Sequence, residues 1–149
     1  MRWGRCGWGV NPVVNLALNP TGVQQLVDYA GESVEICLTI DRQQALRKLF
    51  GFVLCADATG NGLPLIFRPK TGTIRLGNAE APFAITRLAA DEDLEVRIFI
   101  DNFLVEIFVN DRQSMVAEYA DYAGHTALFG ITVGAATVVK TIEVYQIEN

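Results

Sequence analysis

Short apolar runs separated by turn residues dominate the chain, and several alternate hydrophobic with polar positions. In segment 33–40 the even-numbered residues are Val, Ile, Leu and Ile, whereas Glu35 and Thr39 fall on the other face. A period of two residues is typical of a strand with one buried face. Segment 51–56 is almost continuously apolar, which favours a strand buried on both faces. Further strands are predicted at residues 13–18, 63–68, 73–76, 83–86, 113–119, 127–133 and 137–147.

The clearest strand pair is a hairpin around the dipeptide Asn102-Phe103, with alternating apolar residues on both sides. A two-residue loop there pairs Ile100 with Val105 and places the apolar residues of both strands on one face. Asn102 tolerates the positive φ that a type I′ turn requires. A slip of one residue would bury Glu106 and expose the valines, so the register is well specified.

Helical periodicity is weak along the whole sequence. Residues 23–29 and 42–49 could each form one or two helical turns, too little for an α/β fold. The pattern predicts an all-β protein, a two-sheet antiparallel β-sandwich of the concanavalin A-like or jelly-roll type with about ten to twelve strands. We assign residues 31–149 to the β-sandwich module and residues 1–30 to an N-terminal arm with the first strand, in one compact domain.

Composition agrees with a packed domain and argues against some partners. The chain has 149 residues, of which 50% are hydrophobic and 19% charged, with a net charge of -5. Nucleic acid is not an expected partner, because only Arg42, Arg47 and Lys48 approach a basic cluster and a solvated turn explains them. No apolar run is long enough to span a bilayer, and the glycine-rich start is no convincing signal peptide. The compartment therefore stays unassigned, and no membrane partner is expected.

The cysteines and the single histidine do not form a recognisable metal or disulfide pattern. An odd count, Cys6, Cys37 and Cys55, without paired spacing is neither a disulfide framework nor a zinc signature. Cys37 and Cys55 are predicted to be buried thiols, which could form a bridge only if their strands are neighbours. His125 is expected in an exposed loop. Neither a metal site nor a cofactor is predicted.

The hairpin sequence resembles the C-terminal module of family 32 glycoside hydrolases, the invertase and levanase group. The pattern in that module is approximately L-x-V-x-x-D-x-S-x-x-E-x-F-x-N-D-G. Five positions match it in order and spacing and are interpreted as its structural motif: Asp101, Glu106, Phe108, Asn110 and Asp111. Two positions depart from it, since Phe103 stands in place of the serine and Arg112 in place of the final glycine. Both departures affect turn chemistry and leave the core alternation intact.

The resemblance implies that this module carries no catalytic residues of its own. In the family, hydrolysis takes place on a β-propeller that precedes the sandwich, with motifs N-D-P-N-G, R-D-P and E-C. None of these motifs occurs in this sequence, and the superficially similar stretch 19–22 lacks the attacking aspartate. Glycoside hydrolysis needs two opposed carboxylates, one of them protonated. We instead expect Asp101 to accept backbone N–H bonds at the turn and Glu106 to pair with Arg97 across the hairpin.

Aromatic side chains are the candidates for ligand binding. Phe99 and Phe108 are predicted on the outer, non-core face of the hairpin, where they either pack under a loop, helix or subunit or contact a sugar. Tyr119 and Tyr122 form a second aromatic site in a loop. These four residues are the predicted ligand-binding set, with a glycan as the expected ligand.

Several functions are compatible with this sequence. The first is a non-catalytic, carbohydrate-associated module that binds fructan or a related glycan. The alternative is a structural or self-association domain that packs against a partner protein or its own copy as a homo-oligomer. An unrelated small-ligand-binding β-domain ranks below these, and an independent hydrolase ranks last because no acid–base constellation is present.

Overall fold

The computed structural model describes residues 5–9, 13–18, 24–29, 33–102, 104–118, 127–133 and 137–147. Sheet 1 contains seven strands: β1 (Arg5–Gly9), β2 (Val13–Leu18), β4 (Ser33–Ile40), β9 (Leu94–Asp101), β10 (Leu104–Val109), β11 (Gln113–Glu118) and β13 (Thr137–Ile147). Sheet 2 contains six: β3 (Gln24–Asp28), β5 (Phe50–Ala56), β6 (Leu63–Arg68), β7 (Thr73–Leu76), β8 (Ala79–Pro82) and β12 (Ala127–Thr132). All of the strand pairs are antiparallel.

The two sheets pack as a sandwich, which confirms the predicted fold class. Sheet 1 has the order β1-β13-β4-β9-β10-β11, with β2 also paired to β13, and sheet 2 has the order β3-β12-β5-β6-β7-β8. One inner rung of sheet 1 joins Val144, Ile36, Ile98 and Ile107 across four strands, and all four side chains are buried. Burying each such side chain contributes about 1.5–3 kcal/mol.

Aromatic packing fills the middle of sheet 2. Phe50 and Phe67 are opposite each other on β5 and β6, and their rings stack with centroids 5.1 Å apart. Phe52 meets Phe50 edge-on at 6.3 Å. Every residue of β5 is buried, as its continuously apolar sequence predicts.

The hairpin of β9 and β10 has the predicted register. Ile100 pairs with Val105, Asn102 has a φ of 55°, and the even-numbered residues of β9 face the core. A short helix, α1 (Arg42–Ala45), confirms one of the two predicted helical segments. The Asp41 carboxylate caps it by accepting a bond from the Gln43 backbone N–H at 3.0 Å.

Two local predictions were wrong. Segment 23–29 contains strand β3 rather than helical turns, because pairing with β12 provides backbone partners that a single isolated turn lacks. Segment 83–86 is not a strand: β8 lies just before it, and Ile85–Arg87 forms a 3₁₀ turn. The turn at Gly77, with a φ of 59°, brings β8 back along β7 before the chain reaches Phe83.

The two cysteines considered for a bridge lie on different sheets, Cys37 on β4 and Cys55 on β5. Cys37 points to the outer face of sheet 1, whereas Cys55 is buried in the core between the sheets. A Cys37–Cys55 disulfide is therefore excluded. The prediction of a buried thiol holds for Cys55, and Cys37 is only half-buried.

Candidate carbohydrate-binding face

The outer face of sheet 1 brings the β9–β10 hairpin together with polar residues of β4. Strand alternation turns the odd-numbered residues of β4 and β9 and the even-numbered residues of β10 away from the core. One outer rung contains Glu35, Phe99 and Glu106, and the next contains Cys37, Arg97 and Phe108. Phe99 and Phe108 are consequently diagonal neighbours, as the sequence predicts.

Phe99 and Phe108 form an edge-to-face pair with ring centroids 5.7 Å apart. The guanidinium of Arg97 lies over the Phe99 ring, 5.1 Å from its centroid, at a cation–π distance. Phe99 is only 5% exposed, whereas Phe108 is half-buried. Phe99 thus presents little surface to a ligand, which favours the packing alternative for that ring, and Phe108 is the more accessible of the two.

An ion pair lies beside these rings, but not the predicted one. Arg97 Nε donates to Glu35 Oε2 at 3.1 Å, and its Nη1 lies 3.7 Å from Asp111 Oδ1. The expected partner, Glu106, is diagonal to Arg97 on the opposite side. The Glu35 side chain is 1% exposed. A buried carboxylate without a counter-ion is costly, which explains why Arg97 turns toward β4.

Further polar contacts extend this face across β4 and β13. The Cys37 thiol donates to Glu35 Oε2 at 3.3 Å, and the Tyr145 hydroxyl donates to Glu143 Oε2 at 2.6 Å. Glu35 and Tyr145 are directly opposite each other on neighbouring strands. The sequence analysis missed this polar set, although the period-two alternation of β4 already placed Glu35 on a non-core face.

The two carboxylates of the hairpin have separate environments. Asp101 Oδ1 accepts from Ser33 Oγ at 2.8 Å and from Asn102 Nδ2 at 3.3 Å. Its described partners are therefore side chains, not the backbone N–H groups that were predicted. Glu106 is half-buried opposite Phe99. Asp101 consequently ties β4 to the hairpin turn.

Asn110 joins the two ends of the hairpin. Its Oδ1 accepts from the Glu95 N–H at 3.1 Å, and its Nδ2 donates to the Asp93 carbonyl at 2.8 Å. Asn110 and Asp111 both have positive φ, 50° and 53°. Asparagine and aspartate tolerate this left-handed conformation better than most residues. These contacts give Asn110 a structural reason for its place in the motif.

The departure at Arg112 has a structural explanation. The positive-φ residues of this turn are the preceding two, so the residue after them does not need to be glycine. Arg112 Nη2 lies 2.9 Å from Glu92 Oε2, and its backbone N–H donates to the Val109 carbonyl at 3.0 Å. The hydrogen bond from the Ala89 backbone N–H holds the pKa of the Glu92 carboxyl below its usual value, and the hydrogen bond and charge of Arg112 make a smaller contribution in the same direction. The arginine thus replaces the glycine without strain and adds an ion pair.

Two exposed apolar side chains lie beside this face, a feature that the sequence analysis did not identify. Leu104 is 40% exposed and precedes Glu106 by two residues on β10, and Val116 is 56% exposed and lies opposite Glu106 on β11. Strand β11, which carries Val116, is the edge of sheet 1. The outer face therefore ends in an apolar margin.

The other predicted site residues lie outside the described ranges. Tyr119 and Tyr122 belong to this group, as do His125 and Phe103. Among the residues that the structure describes, no three His, Cys, Asp or Glu side chains are grouped as a metal site. Within the same ranges, no helix has the length and apolar character needed to cross a membrane.

The fold is that of a two-sheet antiparallel β-sandwich domain. The chain belongs to the family described as glycosyl hydrolases family 32 C terminal, whose sequence profile matches residues 11–146. The resemblance noted in the hairpin is thereby confirmed. Among curated proteins, none matches this sequence.

Solved structures of fructan-related enzymes contain the same fold. Exo-inulinase from Aspergillus awamori is similar at a TM-score of 0.71 and 14% identity, covering 96% of this chain and 29% of that one. Fructan 1-exohydrolase IIa from Cichorium intybus has a TM-score of 0.64 at 12% identity, covering 97% and 36%. Fructofuranosidase from Schwanniomyces occidentalis, complexed with fructose, has a TM-score of 0.65 at 9% identity, and the match covers 96% of this chain and 34% of that one. This chain therefore spans about a third of the length of these enzymes.

Proposed function

We propose that this chain is a non-catalytic accessory module that binds fructan or a related glycan on the outer face of sheet 1. The observation that carries the proposal is the accessible ring of Phe108 beside the charged groups Arg97 and Asp111. An apolar ring face flanked by hydrogen-bonding groups suits a sugar, which has both C–H faces and hydroxyls. The names of the similar enzymes, an exo-inulinase and a fructan exohydrolase, favour fructan as the glycan.

The arrangement of polar groups supports recognition of a neutral ligand. Arg97 is already paired with Glu35, and the side chain of Asp111 is 81% exposed near the same guanidinium. Charged groups that compensate each other can donate and accept hydrogen bonds without demanding a charged ligand. A chain of sugar hydroxyls running over Phe108 would find both donors and acceptors on this face.

The non-catalytic part of the proposal rests on the hairpin carboxylates. A glycosidase needs one protonated and one ionised carboxyl group on opposite sides of a glycosidic bond. Asp101 is engaged by Ser33 at the turn, and Glu106 lies on the same face of the sheet. We expect no release of reducing sugar from sucrose, inulin or levan, and release proportional to protein concentration would contradict this.

Isothermal titration with inulin, levan and sucrose tests the binding site. We expect Phe108→Ala to weaken glycan binding about 10-fold, a loss of about 1.4 kcal/mol. Val14→Ala is the matched control, because it removes an exposed apolar side chain from β2 of the same sheet. Absence of heat at millimolar glycan, or equal affinity of the Phe108 variant and the wild type, would refute the site.

Self-association is a second candidate, favoured by the apolar margin formed by Leu104 and Val116. Light scattering after size-exclusion chromatography should then show a mass that rises with protein concentration. Val116→Ser should shift this equilibrium toward the monomer, because it replaces a half-exposed apolar side chain at the edge strand. A strictly monomeric wild type at several hundred micromolar would rule this candidate out.

A further inference from the structure

A groove crosses one end of the outer face of sheet 2. The pairing of Phe50 with Phe67 places Leu49, just before β5, beside Arg68 at the end of β6. The Val133 N–H donates to the Leu49 carbonyl at 3.1 Å, which adds the end of β12 to the same row. Three strand ends and the β6–β7 turn thus meet, although their residues are far apart in sequence.

Three cations and three apolar residues line this groove, which encloses about 340 Å³. We call it the cationic groove: Lys48, Arg68 and Lys70 with Leu49, Pro69 and Val133. The hydroxyl of Thr71 completes the described lining. A volume of this size is at the lower end of the range for small-molecule sites.

The charge of the groove is unbalanced. None of the described residues that line it is acidic, and no described ion pair engages its three cations. Cations elsewhere do have carboxylate partners, as Arg112 has Glu92 and Lys140 has Asp93. In a protein of net charge -5, three cations that pair with no described carboxylate concentrate positive potential around one groove.

Arg68 is the central residue of the groove. Within the part of the chain that the structure describes, its buried Nε has no hydrogen-bond partner, so this N–H of the guanidinium is desolvated without an acceptor. An unpaired, partly buried cation is unfavourable unless an anion neutralises it. The planar fork of a guanidinium matches the oxygens of phosphate and sulfate, and two flanking ammonium groups add charge without a fixed direction.

We propose that the cationic groove binds the phosphate or sulfate group of a small organic anion. Lys48, Arg68 and Lys70 neutralise the oxyanion, and the wall of Leu49 and Val133 packs against the organic part. The net charge of -5 disfavours long polyanions, which would extend beyond the groove. This site lies on sheet 2 and does not depend on the glycan site proposed on sheet 1.

Titration with sodium phosphate at constant ionic strength, followed by calorimetry and thermal unfolding, tests the groove. We expect saturable binding and a melting temperature that rises above that in a sodium chloride control. Lys70→Gln and Arg68→Gln should each weaken phosphate binding at least 10-fold. Arg47→Gln is the matched control, because it removes one positive charge from the α1–β5 loop, next to Lys48, without lining the groove, and it should change the affinity less than 2-fold.

Comparison of inorganic phosphate with phenyl phosphate distinguishes the two sources of the anion. We expect tighter binding of phenyl phosphate, because the wall of Leu49 and Val133 contacts the organic part, and equal binding of the two would contradict an organic ligand and indicate free phosphate. An effect of phosphate no larger than that of sodium chloride would overturn the proposal. The same holds if Lys70→Gln binds phosphate like the wild type, a result that does not depend on whether the Arg68 variant folds. Heparin binding that phosphate cannot displace would also contradict it.

Discussion

Arg97 and Glu35 form a diagonal ion pair across β9 and β4 on the outer face of the sandwich, with 3.1 Å between Nε and Oε2. The carboxylate is almost completely buried although it lies on a face that alternation turns away from the core. The guanidinium of the same arginine covers the Phe99 ring. One arginine therefore compensates a buried charge and packs against an aromatic ring.

Removal of Arg97 should be much more damaging than removal of Glu106 on the same face. Arg97→Ala leaves the buried Glu35 carboxylate without its cation, and we expect it to lower the free energy of unfolding by about 3 kcal/mol. Glu106→Ala should change it by less than about 0.5 kcal/mol. Urea denaturation of both variants measures the difference. Equal losses of unfolding free energy in the two variants would contradict a special contribution of the Arg97–Glu35 ion pair to stability.

The two left-handed asparagines of the hairpin should respond differently to glycine. Asn102→Gly should be nearly neutral, because glycine adopts a φ of 55° freely and only a 3.3 Å bond to Asp101 is lost. Asn110→Gly also fits its backbone, but it removes the side-chain bonds to Glu95 and Asp93. We expect it to cost about 1–3 kcal/mol. Thermal unfolding measures the stability of both variants. An Asn110→Gly variant as stable as the wild type would show that the motif asparagine is needed only for its positive φ and not for its side-chain hydrogen bonds.

Alkaline pH should destabilise the fold through two buried groups. Burial raises the pKa of the Tyr29 phenol far above its usual value and also raises the pKa of the Cys55 thiol. The unfolded chain therefore loses protons, from about pH 8.5 for cysteine and about pH 10 for tyrosine, that the folded chain retains. Because the folded state then binds more protons, stability falls as pH rises, by about 1.4 kcal/mol per pH unit for each such group.

Tyr29→Phe tests this dependence. The Tyr29 hydroxyl interacts with Cys55, and among the described residues no hydrogen bond of normal geometry satisfies it. The substitution should therefore cost little at pH 7, and it should flatten the decline of stability above pH 10. Urea midpoints measured from pH 7 to 11 for the wild type and the variant provide the comparison. Parallel curves would exclude Tyr29 as the titrating group.

Two glycines of sheet 2 should differ in their tolerance of alanine. A Cβ on Gly51 would lie 2.4 Å from the Leu65 carbonyl oxygen, a backbone atom that cannot move aside alone. A Cβ on Gly130 would meet the ends of the Leu18 and Leu26 side chains at 2.5 and 3.1 Å. Side-chain ends can shift more easily, so Gly51→Ala should cost more, at least about 2 kcal/mol. Chemical denaturation of both variants gives the order, and a reversed order would contradict this reasoning.

The sequence was sufficient for the features that depend on alternation. The hairpin register, the doubly buried β5 and the sandwich class all follow from which positions are apolar, because a one-residue slip would bury charge. Strand β3 was misassigned because its sequence has no clear period, and only pairing with β12 fixes its conformation. Tertiary pairing of this kind has no local signal.

The candidate sites were predictable only in part. The placement of Phe99 and Phe108 followed from alternation, but the choice of Glu35 by Arg97 depends on burial, which a single strand does not reveal. The cationic groove combines Lys48 with residues about twenty positions later, through the pairing of β5 with β6. The sequence predicts Arg42 and Lys48 together in a solvated turn, but in the structure Arg42 donates to the carbonyls of Thr86 and Leu88.

Strand β13 pairs with β1, β2 and β4, so the last strand in the sequence lies between the earliest ones. During synthesis, β4 has no partner on that side until β13 has left the ribosome. Pairings between such distant segments form slowly, because loop closure precedes any gain in contacts. The time for which this edge of β4 stays unpaired is thus set by the speed of translation. We expect a chaperone that covers strand edges to assist the folding of the nascent chain of this module.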